Sequence, residues 1–108
     1  MAGEVDGAAR GRLLRRAARV LVLVLDEHRE LLVLTWTVTA DVLHAHAVVC
    51  DVDPGRDRRV FTAWAQALPA GEGRDPAPVL DDAGMTRLRA VRRVHGVPVV
   101  LTAAVHPF

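Results

Sequence analysis

Apolar and polar positions divide the chain into short segments with different periods. Over residues 8–19, Leu13, Leu14, Ala17 and Ala18 fall at i, i+1, i+4 and i+5, with Arg12, Arg15, Arg16 and Arg19 on the remaining positions. That spacing predicts a short amphipathic helix, preceded by a small, polar, frayed segment over 1–7. Residues 20–25 are an unbroken apolar run, half of it valine. The run is short for a helix and is expected as a buried strand. A charged turn over 26–30 follows. In 31–39, Leu32, Leu34, Trp36 and Val38 alternate with Val33, Thr35, Thr37 and Thr39, the period of a strand. The two strands are expected to pair as an antiparallel hairpin.

Residues 41–52 predict a third strand, with Val42, His44, His46, Val48 and Cys50 on one face and Leu43, Ala45, Ala47, Val49 and Asp51 on the other. Asp53-Pro54-Gly55 is a strong turn. Residues 58–68 satisfy two periods: Val60, Thr62, Trp64, Gln66 and Leu68 alternate, while Val60, Phe61, Trp64 and Leu68 share a helical face. The short connection and the β-branched start favour a strand. Residues 69–78, rich in Pro and Gly, read as a surface loop. Over 81–95, Asp81 resembles an N-cap, Met85, Leu88, Val91 and Val94 recur every three residues, and His95-Gly96 resembles a helix end; the segment is expected as a second amphipathic helix. Residues 97–105 close the chain as an apolar strand, with Pro98 at its start or on an edge. The expected fold is a single α+β domain over 1–108: a mainly antiparallel sheet of four to five strands covered by two amphipathic helices.

Composition removes whole reaction classes. The sequence contains no Ser, Lys, Tyr, Asn or Ile. Ser-based hydrolysis, Schiff-base chemistry, Walker-type phosphate binding and phenolic acid catalysis are therefore excluded, and no positive catalytic signature replaces them. All basic charge is Arg, the pattern of a high-GC bacterial coding bias. The formal net charge is +1, so no global field steers the chain onto nucleic acid or an anionic membrane. The single Cys50 cannot form an internal disulfide, which fits a reducing cytoplasm. No apolar run approaches the ~20 residues that span a bilayer.

Three groups could carry function. His44, His46 and Cys50 share one strand face, with Cys50 about 13 Å along from His46 on an ideal strand; it joins the pair only through a bulge. Two imidazoles at i, i+2 suit zinc or another late transition metal, and either ring suits acid–base work. No cofactor is predicted, and the face reads first as partly buried sheet with hydrogen-bonded histidines and an inert thiol. The arginines of 81–95, Arg87, Arg89, Arg92 and Arg93, form a solvated outer face that can meet an acidic partner. Trp36 and Trp64 are bulky core residues that can also line a pocket or an interface. The leading expectation is a cytoplasmic, non-enzymatic interaction module that self-associates or docks onto a partner protein. The alternative is a small enzyme or metal- or ligand-binding protein using His44 and His46.

Overall fold

The computed structural model describes residues 2–31, 34–39, 42–47, 53, 55–71 and 74–105, with side chains from residue 7 onward. Helix α1 spans Ala2–Glu27, and strands β1 (Thr35–Val38) and β2 (Leu43–Ala47) follow it. Helix α2 covers Arg56–Ala67, and β3 (Val79–Leu80), β4 (Thr86–Val94) and β5 (Val97–Val105) complete the chain. The strands form one sheet in the order β1-β2-β5-β4-β3. Every neighbouring pair is antiparallel except β2–β5, which is parallel. The α+β class, the five strands and the two covering helices match the sequence expectation. The mixed character of the sheet was not foreseen.

Strict alternation on β5 organises the core. Val97, Val99, Leu101, Ala103 and Val105 are buried, while Pro98, Val100, Thr102 and Ala104 are half-buried on the opposite face. The neighbouring strands continue the buried face through Leu43, Ala45 and Ala47 on β2 and Leu88, Ala90 and Val94 on β4. Both helices lie against that face, α1 through Ala17, Val20 and Val24 and α2 through Val60 and Trp64, in one apolar cluster. Five alanines in the buried layer of helix and sheet leave the room that Trp64, only 1% exposed, requires.

Three expected elements change type, each for a local reason. The expected strand 20–25 is the C-terminal half of α1. No Gly or Pro separates Arg19 from Val20, so nothing stops the helix, and Ala17, Val20 and Val24 supply its buried stripe at i, i+3 and i+7. The expected hairpin of 20–25 with 31–39 therefore does not exist. The hairpin instead joins β1 to β2, with Thr35 opposite His46 and Thr37 opposite His44. The segment 58–68, expected as a strand, lies largely within α2, where its second period prevails: Val60 and Trp64 are buried at i, i+4, and Leu68 closes the last turn through its backbone N–H to the Trp64 carbonyl.

The expected helix over 81–95 is the turn and strand leading into a β4–β5 hairpin. His95 (φ 49°) and Gly96 (φ 78°) both take left-handed backbone conformations, as the two central residues of a type I′ hairpin turn require. A glycine with positive φ ends helices and hairpins alike, so the sequence signal was ambiguous. Asp81 does cap backbone N–H groups, those of Ala83 at 2.9 Å and Met85 at 3.0 Å, but in the β3–β4 turn rather than at a helix start. Its carboxyl is held below the usual carboxylate range by the Met85 N–H first, then by the Arg87 side chain and the Ala83 N–H.

Arg92 explains why the alternation of β4 was hidden. It occupies a core-side position, where a charged residue breaks the apolar pattern. It is accommodated there because its guanidinium grips Asp75 in a bidentate pair (2.7 and 2.9 Å) and its Nε donates to the Ala65 carbonyl at 2.8 Å. The loop over 69–78 is thereby tied to β4 and to the end of α2. The Arg92 hydrogen bond, with lesser help from the Val91 N–H, holds the Asp75 carboxyl below its ordinary range. A carboxylate with a depressed folded-state pKa contributes stability above its unfolded pKa of about 3.9 and loses that contribution as pH falls through the folded value. Asp75→Asn is therefore expected to cost about 1 kcal/mol at neutral pH, since Asp75 is 41% exposed and partly screened. In denaturant titrations against pH, the gap between the two proteins should close below about pH 4. A gap that stays constant through that range would show that the pair contributes nothing through its charge.

Candidate functional site

The helices leave one face of the sheet uncovered, and its composition follows from the alternation. β1 contributes Thr35 and Thr37, β2 His44 and His46, β5 Val100, Thr102 and Ala104, and β4 Arg87, Arg89 and Arg93. His44 and His46 are exposed, as are these three arginines. The face that sequence reasoning expected to be partly buried is open at both imidazoles. Arg92, grouped with the other arginines by sequence, points to the opposite side and is consumed by Asp75.

Pairing register sets the side chains in rows across the strands. One row runs Thr35, His46, Thr102, Arg89 from β1 to β4, and the next runs Thr37, His44, Val100, Val91. The two histidines therefore have different neighbours. His44 sits beside an aliphatic residue. The His46 Nδ1 lies 2.8 Å from the Thr102 Oγ1, and that hydroxyl donates to the Ala45 carbonyl at 3.3 Å. A carbonyl can only accept and a hydroxyl has one proton to give, so Nδ1 is the donor of the first bond. With the hydroxyl proton spent on the Ala45 carbonyl, the neutral ring carries its proton on Nδ1 and leaves the Nε2 lone pair open.

Small residues on β5 shape what lies beside His46. Thr102 and Ala104 form a low floor between the imidazole on β2 and the long Arg87 and Arg89 side chains on β4. The result is a concavity of about 240 Å³. Arg87 is partly neutralised by Asp81, whose Oδ2 accepts from its Nε at 3.1 Å. Arg89 has no hydrogen-bond or ion-pair partner among the described residues. Thr102 and Ala104 were not singled out from the sequence, although the alternation of 97–105 placed them on a common face.

The remaining sequence candidates separate. Trp36 and Trp64 meet, but not on neighbouring strands: Trp36 on β1 and Trp64 on α2 pack edge to face with centroids 5.6 Å apart. His28 at the end of α1 adds a second edge contact to Trp64 at 5.7 Å. This cluster joins α1, α2 and β1 inside the molecule. Beside it, Leu31, Asp53, Arg56, Arg59 and Trp64 line a groove of about 390 Å³, across which Arg59 pairs with Asp53. Cys50, Asp41, Asp51 and His106 lie outside the described residues. Among the described residues no group of three or more His, Cys, Asp or Glu side chains is placed to hold a metal ion.

No protein-family model, curated protein or solved structure matches this chain.

The Thr102 hydroxyl is expected to set the His46 tautomer. In long-range nitrogen–proton NMR spectra, His46 should show a protonated Nδ1 and a bare Nε2. Thr102→Val should shift that pattern toward a tautomer mixture and leave His44 unchanged. If the pattern of His46 survives the substitution, the hydrogen bond does not orient the ring.

Proposed function

We propose that the protein is a non-enzymatic interaction module that self-associates through the outward side of α1. The observation that carries this reading is an aliphatic row on α1 beside its packed stripe of Ala17, Val20 and Val24, open at Leu14, Ala18 and Leu25 and half-buried against the core at Leu21. Leu14, Ala18, Leu21 and Leu25 follow the 4-3-4 spacing of a helix–helix seam. Leu14 and Leu25 are 44% and 36% exposed, and Leu13, Val22 and Leu23 are also exposed. From Gly7 to Arg16 no described side chain of the helix is buried, so its first half overhangs the body of the domain. Contiguous exposed apolar surface of this kind marks interaction sites.

Charge selects a second copy in antiparallel orientation. The middle of α1 carries Arg10, Arg12, Arg15, Arg16 and Arg19, and its end carries Asp26 and Glu27. Parallel pairing sets the arginines of two copies against each other. Antiparallel pairing with Leu14 opposite Leu25 and Ala18 opposite Leu21 brings the Arg10–Arg15 turns of one copy alongside Asp26 and Glu27 of the other. Such a seam is isologous, as a two-fold dimer requires.

Among the described residues no helix is long and apolar enough to cross a membrane. A cytoplasmic location fits the lone cysteine and belongs to this proposal, as does a high-GC bacterial origin. Sedimentation equilibrium should report twice the 11.7 kDa chain mass. Leu14→Glu and Leu25→Glu should return the monomer with unchanged helical circular dichroism. Leu80→Glu, at a still more exposed aliphatic site on β3, should leave the dimer intact. A wild-type protein that stays monomeric at all concentrations, or that binds lipid vesicles through α1 instead, overturns the reading.

A further inference from the structure

We propose that the trough on the open face of the sheet is a binding site for the phosphate group of a small phosphomonoester, held by His46, Arg89 and Arg87 over a floor of Thr102 and Ala104. The site is on the layer opposite α1 and does not depend on self-association.

Three observations converge on this chemistry. First, the walls are cationic or basic and come from two strands separated by β5, so their side chains lean over a shared floor rather than along one strand. At a strand spacing of about 4.8 Å, His46 and Arg89 stand about 10 Å apart at the backbone. That gap suits a tetrahedral oxyanion held between the two walls. The 240 Å³ concavity is correspondingly small. Second, Arg89 has no acidic partner among the described residues, and Arg87 gives only its Nε to Asp81. Guanidinium N–H groups therefore remain to meet two oxygens of one ligand.

Third, the hydrogen-bond chain from the Ala45 carbonyl through the Thr102 hydroxyl fixes the His46 ring with Nε2 as the free nitrogen. A bare Nε2 needs a ligand that can present a proton, or a proton of its own with an anion to receive it. A phosphomonoester, with a second pKa of about 6, offers both forms near neutral pH. The ester monoanion donates its P–OH to Nε2, while the dianion accepts from the imidazolium. A carboxylate, wholly ionised at that pH, offers only the second. The ligand is bound without any bond being made or broken.

The test is a titration of the full chain, ¹⁵N-labelled, with inorganic phosphate, against sodium chloride at matched ionic strength and against acetate. Phosphate should give one saturable set of shifts centred on His46, Arg87, Arg89 and Thr102. Arg89→Gln should weaken binding about tenfold through loss of charged hydrogen bonds. Thr102→Val should weaken it and also release the His46 tautomer, a readout that a simple loss of surface charge does not move. His44→Gln, one row away beside Val100, should bind as the wild type does. Acetate binding as tightly as phosphate, shifts spread over the arginines of α1, or an unchanged affinity in Arg89→Gln with the spectrum of the folded protein each overturns the proposal.

Discussion

The parallel pairing of β2 with β5 is the constraint from which both surfaces of this protein follow. β5 lies at the centre of the sheet and must send Val97, Val99, Leu101, Ala103 and Val105 toward the helices, since a slip of one residue would expose all five. Its pairing to β2 then sets Leu43, Ala45 and Ala47 in the same buried layer, and leaves His44 and His46 no choice but the open face. Register does the rest by placing His46, rather than His44, beside the only hydroxyl on the outward side of β5. Thus the burial of five apolar residues determines which imidazole acquires a defined tautomer, although no buried residue touches its ring nitrogens.

The legible parts of the fold were those where only one period fits. Residues 97–105, read as an apolar strand, form β5 as expected; 35–38 and 43–47 alternate, which also gives the face on which each histidine and threonine lies. The misread segments all satisfied two periods. Leu88, Val91 and Val94 recur at helical spacing, yet Leu88, Ala90 and Val94 also share a strand face once Arg92 is allowed among them. What allows it is Asp75, 17 residues away in a loop, a partner that no local pattern reveals. In 20–25 the alternation of Val and Leu is uninformative because both residues are apolar. The absence of a breaker after Arg19 was the better guide.

The candidate site was legible to the same depth. A His-x-His pair on a strand implies one shared face, and the structure agrees. What distinguishes the two rings is a residue 56 positions away, which becomes a neighbour only through the sheet order. The sequence grouping of Arg87, Arg89, Arg92 and Arg93 failed for a related reason. On a helix those four would have formed one solvated surface. On a strand the period of two sends Arg92 inward to a structural ion pair and leaves the others outside.

The layering of the domain also decides whether its two proposed surfaces compete. The helices cover one face of the sheet and the trough lies on the other, so a seam along α1 joins two copies through their helical layers and leaves both open faces turned away from the contact. The arginines divide in the same way: in the proposed dimer those of α1 would face Asp26 and Glu27 of a second copy, whereas Arg89 faces solvent across the trough from His46. Across β5 from Arg89 the His46 ring is oriented by the Thr102 hydroxyl, so in the proposed site a phosphate would meet a guanidinium on one wall and an imidazole held in place on the other.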